Sequence, residues 1–362
     1  MKAVSLFSGC GGLDLGLKRA GFEIVLANDI DNRCAEAHAA NKLSKAFHHG
    51  SVKQLTPARL KKLLGEDLED IALLAGGPPC PPYSKSRFYR KDKPRALQDP
   101  VGEETMKGYL SVLKTLRPKA FLLENVPGLA YKVHHDALDH ILTKAAKLGY
   151  SCEWKVINAA DHGVPQIRER FFLVGLRGKR FTFPAETHTK ASKVPTLFAR
   201  AKPWVGVGRV LDDLDTEKNA SDEGHFAGGA FHEQLCEVPP GDNYLFFTKE
   251  RGHPKPIWKW RSRYWSFLLK LSPDMPSWTI QARRSNNMGP FHWRNRILRI
   301  AEVKRIQTFP DGWKLAGTVE EQWRQVGNAV PPRLAEILAK AILQHLTEES
   351  RDGGEVSASG GA

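Results

Sequence analysis

Long apolar runs, paired cysteines and metal-ligand spacing are all missing from this chain of 362 residues. With no stretch of about 18 apolar residues, the sequence offers no membrane-spanning helix. Its first residues, Met1-Lys2-Ala3-Val4-Ser5-Leu6-Phe7, turn glycine-rich too soon for a secretory signal. The five cysteines, Cys10, Cys34, Cys80, Cys152 and Cys236, are odd in number and scattered. That argues against a disulfide frame and a zinc site, and suits a reducing cytoplasm. Neither Gly-x-Gly-x-x-Gly nor Gly-Lys-Ser/Thr marks the first glycine-rich turn, which argues against a phosphate-loop NTPase. Internal repeats are absent as well.

Acidic residues are scarce in one region. Between Lys249 and Arg305 the chain carries 14 Lys/Arg against 3 Asp/Glu, a surplus of +11 within a net charge of +14. Trp258, Trp260, Trp265, Trp278 and Trp293 fall in the same stretch. Basic charge interleaved with aromatics is the footprint of a nucleic-acid surface. A solvated basic face over a small tryptophan core has the same composition, and the two readings stand side by side.

The remainder reads as strands alternating with helices. Ala3 to Phe7 is a strand that enters Ser8-Gly9-Cys10-Gly11-Gly12, and Leu13 onward has helical spacing. Strand, glycine-rich turn and helix start together make an anion- or nucleotide-binding turn. A second strand, Glu23 to Ala27, ends at Asn28-Asp29-Ile30-Asp31. Asp31 suits the N-cap of the next helix, which leaves Asp29 for a ligand's ribose hydroxyls. The buried run Ile71 to Ala75 feeds Gly76-Gly77-Pro78-Pro79-Cys80-Pro81-Pro82-Tyr83-Ser84. Two glycines allow a tight turn and four prolines stiffen the backbone around one thiol, as an aimed nucleophile requires. A structural cysteine in a proline-rich turn is the plainer alternative. Lys85, Arg87, Arg90, Lys91, Lys93 and Arg95 follow on a basic loop suited to a phosphate backbone.

Helices are expected over Glu103 to Leu116 and Asp136 to Leu148, with strands at Lys119 to Leu123, Cys152 to Ile157 and Phe171 to Leu176. Glu124 closes the first of these strands, and Gln166-Ile167-Arg168-Glu169-Arg170 precedes the last. The glycine-rich turn, Asp29, Cys80 and Glu124 all lie just past the C-terminal end of a strand. In an open parallel sheet those ends share the ligand-binding edge, and an antiparallel strand would bring Arg168 there too. Gly178 to Thr248 is irregular. Arg299 to Phe309 reads as an amphipathic helix, a strong helix runs from Pro332 to about Leu346, and 347–362 reads as a disordered tail.

Taken together the segments resemble the cytosine-C5 DNA methyltransferases over nearly the whole chain. Phe7-Ser8-Gly9-Cys10-Gly11-Gly12 resembles the family's cofactor turn, Asp29 its ribose-binding acid and Pro79-Cys80 its nucleophile. Glu124-Asn125-Val126 resembles its Glu-Asn-Val, and Gln166-x-Arg168-x-Arg170 its Gln-x-Arg-x-Arg. Arg305 to Asp311 and Gly327-Asn328-Ala329-Val330-Pro331-Pro332 resemble its last two motifs. Two departures stand out. Gly50-Ser51 occupies the place where the family often has Gly-Asp, so the usual acceptor for the adenine amine is missing. Pro81 follows the nucleophile where many members have Gln.

The resemblance implies a Rossmann-like α/β fold of the S-adenosylmethionine-dependent kind, with a mostly parallel sheet, one antiparallel strand and a smaller, irregular target-recognition domain. It implies a catalytic domain over 1–177, target recognition over 178–317 and a C-terminal helix over 318–346 that returns to the first domain. Cys80, Glu124, Arg168 and Arg170 become the catalytic set: Cys80 adds to cytosine C6, a partly protonated Glu124 holds N3 and the amine, and Arg168 holds O2. S-adenosylmethionine falls to Phe7, Ser8, Gly9, Gly11, Gly12, Leu13, Asp29, Ile30, Ser51, Val52, Gly77, Pro79, Asn328 and Ala329. DNA falls to Ser84, Lys85, Arg87, Gln166, Thr279, Arg283 and Arg284. The implied partners are duplex DNA and a separately acting restriction endonuclease, for a monomer in a bacterial cytoplasm. A tRNA methyltransferase with the same core, a silent DNA-binding homologue and a nicotinamide oxidoreductase are the competing readings.

Overall fold

The structure, a computed structural model, describes residues 1–79, 98–190, 201–214, 227–261 and 264–355. The chain divides into two compact units: Met1–Ile157 with Glu169–Ala185 and Pro332–Ala362, and Asn158–Arg168 with Glu186–Pro331.

In the first unit the strands are β1 (Lys2–Leu6), β2 (Glu23–Asp29), β3 (Ala46–His49), β4 (Ile71–Gly76), β5 (Ala120–Asn125), β6 (Tyr150–Asn158) and β7 (Glu169–Arg177). Between them run α1 (Gly12–Ala20), α2 (Asn32–Ala40), α3 (Pro57–Leu64), α4 (Pro100–Leu116) and α5 (His135–Lys147). The strands form one sheet in the order β3-β2-β1-β4-β5-β7-β6. The first five are parallel and β7 runs antiparallel to β5. Helical crossovers explain the burial of every residue of β4 and β5, since a parallel sheet is covered on both faces. Leu26, Leu74, Tyr109, Leu113, Phe121, Leu123 and Phe171 lie in its core. Order reverses on either side of β1, which makes the C-terminal edge at β1 and β4 the crevice where such sheets bind ligands.

The caps follow the chain chemistry. Asp31 accepts from the Arg33 amide at the start of α2, as the sequence suggests, and Thr56 and Asp99 cap α3 and α4 ahead of a proline in the first turn.

The second unit has little regular structure, in line with its sequence. It holds a two-stranded parallel pair, β8 (His188–Thr189) and β9 (Lys202–Pro203). Its helices are α6 (Gly208–Leu211), α7 (His232–Glu237), α8 (Ile300–Ile306) and α9 (Val319–Asn328). An edge-to-face cluster of Phe231, Tyr244, Phe247, Trp258 and Phe267 replaces a sheet as its core. The chain then returns to the first unit as α10 (Pro332–Glu355).

Three elements differ from the sequence reading. The four-residue β3 is too short to show a period. The single C-terminal helix expected over 318–346 is two, α9 and α10: Gly327 and Asn328 are poor helix formers and Pro331-Pro332 follow, while the capping box of Thr318 with Glu321 starts α9. α10 runs past Leu346 to Glu355, its ladder continuing where the buried stripe stops.

Candidate active site

β1 leads into a strained turn. Phe7 and Gly9 have φ of 53° and 54°, and Gly11, the N-cap of α1, has φ of 86° with no side-chain cap. The turn is held from outside. Ser8 donates its N–H to Asn28 O at 2.9 Å, and Gly9 donates its N–H to Asp29 Oδ2 at 2.8 Å. The other oxygen of Asp29 accepts from the Asp31 amide at 2.9 Å. Burial raises the Asp29 pKa, and these amide bonds oppose that rise. Asp29 thus shapes the glycine turn, and its carboxylate oxygens retain lone pairs for a further donor.

A side chain at Gly9 would meet no atom within 4 Å, so the turn opens outward. Gly12 and Leu13 begin α1, whose uncapped first amides suit a carboxylate. Ile30, directly after Asp29, is 72% exposed and offers bare apolar surface. Ser51 caps a 3-10 turn that starts at the buried Val52. An open amide cradle, a neighbouring acid and an apolar ledge fit an amino-acid-bearing nucleoside. Cys10, inside the turn, is buried, which pushes its thiol up to about 12 and keeps it protonated.

Along the same edge β4 and β5 close on one another. Glu124 is 6% exposed, and its Oε1 lies 3.2 Å from Arg170 Nε. The register explains the meeting: Glu124 pairs with Phe172, so Arg170 is its diagonal neighbour on the same face of the antiparallel pair. Gly77 presses against the same carboxylate, where an added Cβ would sit 2.6 Å from Glu124 Oε2. Asn125 donates its side-chain amide to Pro78 O at 3.2 Å. The chain leading to Pro79 is therefore tied beside Glu124, two residues before Cys80. Cys80, Ser84, Lys85 and Arg87 lie outside the described residues.

Two expectations change here. Arg168 was expected to face a pyrimidine oxygen. The residue is instead 1% exposed and its guanidinium donates to Ile280 O at 3.1 Å and Gly327 O at 2.8 Å, all three residues belonging to the second unit. The arginine beside Glu124 is Arg170. Gln166 was expected to touch DNA, yet it is fully buried, donating to Gln307 Oε1 and accepting from the Ile280 amide. Thr279 donates its hydroxyl to Ile167 O at 2.8 Å.

This backbone-directed network was not legible beforehand. Trp323 donates to Gln281 O, and Gly327 is packed so tightly on that segment that a Cβ would meet Gln281 O at 2.4 Å. Exposed Asn328 and half-buried Ala329 follow at the end of α9. Arg283 is exposed, while Arg284 pairs with Glu320 at 3.0 Å.

The tryptophans of the basic stretch divide between both sequence readings. Trp258 belongs to the aromatic core, whereas Trp260, Trp265 and Trp278 are exposed. A cavity of about 600 Å³ is lined by Tyr244, Trp258, Lys259, Arg261, Tyr264 and Asn287. No helix among the described residues is long and apolar enough to cross a membrane.

Residues 1–344 match the family model described as C-5 cytosine-specific DNA methylase. The chain is 36% identical to the type II methyltransferase M.SacI of Streptomyces achromogenes, over 96% of this chain and 93% of that one. It is 32% identical to the type II methyltransferase M.FnuDI of Fusobacterium nucleatum, over 97% and 96%. Among solved structures it resembles a Spodoptera frugiperda DNMT2 variant, with TM-score 0.64, 17% identity and coverage of 94% and 99%. It also resembles the Entamoeba histolytica methyltransferase EhMeth, with TM-score 0.62, 17% identity and coverage of 96% and 98%. At those identities the structural likeness speaks for the fold alone, the Rossmann-like one expected from the sequence.

Proposed function

The chain belongs to the C-5 cytosine-specific DNA methylase family, and on that premise we propose that it is a DNA (cytosine-5-)-methyltransferase acting on one cytosine of a specific duplex sequence. The observation that carries this reading is the closure of Glu124 on Gly77 and Arg170, with Asn125 holding Pro78 just ahead of Cys80.

S-adenosylmethionine, held by the Gly9–Gly12 turn and Asp29, supplies an electrophilic methyl group when bound. Ile30, Ser51, Val52, Gly77, Pro79, Asn328 and Ala329 complete its proposed contacts. Cytosine C5 is too weak a nucleophile to accept that methyl unaided. The Cys80 thiolate adds to C6, forming a C–S bond and moving electron density to C5. Glu124 meets N3 and the exocyclic amine. Arg170 holds that carboxylate in aim and offsets charge that develops on the ring. C5 then takes the methyl group, S-adenosylhomocysteine leaving, and loss of the C5 proton expels the Cys80 thiolate and restores the aromatic ring. Neither Cys10 nor Cys152 suits this step, since burial pushes their thiols up to about 12 and about 11.

Arg168 and Gln166 act as positioning residues that order the segment carrying Thr279. Stacked in a duplex, the target base is out of reach and must flip out. Exposed Arg283 and the tryptophans beside it hold the strand, together with Arg284, Ser84, Lys85 and Arg87. In this reading the enzyme works as a monomer on chromosomal DNA in a bacterial cytoplasm, alongside a separate restriction endonuclease.

Bisulfite sequencing of the genome of a host expressing the chain tests the reading. Protection of cytosines within one short sequence is expected, and its loss in Cys80→Ala. A Cys80→Ala protein that still methylates would overturn the covalent step. Transfer to tRNA but not to duplex DNA would overturn the substrate.

A further inference from the structure

The corner after β3 is pinned to the end of β2. Asn28 donates its side-chain amide to His48 O and Gly50 O, each at 2.8 Å, and Gly50 donates its N–H to Asp29 O at 2.9 Å. Ser51 therefore sits next to the acid assigned to the ribose. Ser51 Oγ donates to Glu104 Oε1 at 3.1 Å and accepts from the Lys53 amide at 3.3 Å, so its acceptor capacity is partly used and it brings no negative charge in place of the missing carboxylate. Lys53 Nζ lies 2.8 Å from the other oxygen, Glu104 Oε2.

Glu104 comes from the first turns of α4, and backbone contact fixes it there. One helical turn on, Gly108 meets Val52 so closely that an added Cβ would lie 2.3 Å from Val52 Cγ1. The helix thus lies directly on the corner that Ser51 and Val52 form. A carboxylate offers about four acceptor positions, and Ser51 and Lys53 use only part of that capacity. Their hydrogen bonds also hold its pKa below the ordinary range, so at neutral pH it accepts and does not donate.

We propose that Glu104 accepts the exocyclic amine of the cofactor's adenine, with Ser51 and Lys53 as its props. Glu104 thereby makes the site selective for a 6-amino over a 6-oxo purine. The inference rests on the S-adenosylmethionine reading above. An apolar ledge at Ile30, an acid at Asp29 and an acceptor at Glu104 then match the base, sugar and amine of one nucleoside.

Calorimetry on the full chain with S-adenosylhomocysteine and its 6-oxo analogue, S-inosylhomocysteine, provides the test without any turnover. The wild type should favour the adenine compound by on the order of 10–100-fold, because a carboxylate repels the O6 acceptor. Glu104→Gln should shrink that ratio at least about tenfold, since its amide can donate to O6. Ser51→Ala, which removes one prop of Glu104, should shrink it by a few-fold and serves if the first variant folds poorly. A residue that merely stiffened α4 would weaken both ligands alike. A ratio unchanged in either variant, with S-adenosylhomocysteine still bound, overturns the role of Glu104 and leaves the cofactor reading intact. A wild type that fails to bind S-adenosylhomocysteine overturns both.

Discussion

Below the glycine turn, Asp14 and His38 are both buried, with Asp14 Oδ2 3.8 Å from His38 Nε2. Burial pushes Asp14 up to about 7 and His38 down to about 4, so both are uncharged between those values. Their effects on stability oppose one another. The folded protein keeps the Asp14 proton longer than the unfolded chain does, so this contribution fades as pH rises from about 4 to about 7. It takes up the His38 proton later, so that contribution fades as pH falls from about 6.5 to about 4. Asp14→Asn removes the first slope and leaves the second. The melting temperature of that variant should therefore rise more steeply with pH across this window than that of the wild type, as calorimetric melts in matched buffers would show. At the reacting edge, Arg170→Ala should lower kcat/KM about 10²–10³-fold, measured by tritiated methyl transfer to DNA. Arg168→Ala should chiefly lower melting temperature, because it strands two buried carbonyls.

Among the elements, two glycines with little room are informative. Gly16 on α1 meets α10 so closely that a Cβ would lie 2.3 Å from Ala335 Cβ and 2.6 Å from Glu336 N. Gly16→Val should cost about 1–3 kcal/mol in denaturant melts, as overpacked contacts do. Gly77→Ala adds its methyl against Glu124 and should reduce turnover more than stability. Strand ends, caps and the Gly9–Gly12 turn were readable in the sequence because each depends on neighbours a few residues away. Asp31, Gly11 and the buried run of β4 are of that kind. That Arg170, and not Arg168, meets Glu124 was not readable. It depends on the β5–β7 register and on carbonyls from Ile280 and Gly327, more than a hundred residues distant. Glu104 was hidden for the same reason: only the fold brings α4 to Ser51.

For the molecule entire, charge placement makes a separate claim. A surplus of +11 between Lys249 and Arg305 should make DNA affinity fall steeply with salt. Arg283→Ala should flatten the log–log slope by about 0.9 if that exposed side chain neutralises one phosphate, measured by anisotropy across a salt series. α1 forms near the start of the chain, whereas the helix it packs on, α10, begins at Pro332. On the ribosome, the face of α1 around Gly16 and Leu17 stays bare until α10 has been translated. For that interval α1 offers an apolar stripe of the kind holding chaperones bind, and slow codons upstream of Pro332 would prolong its exposure.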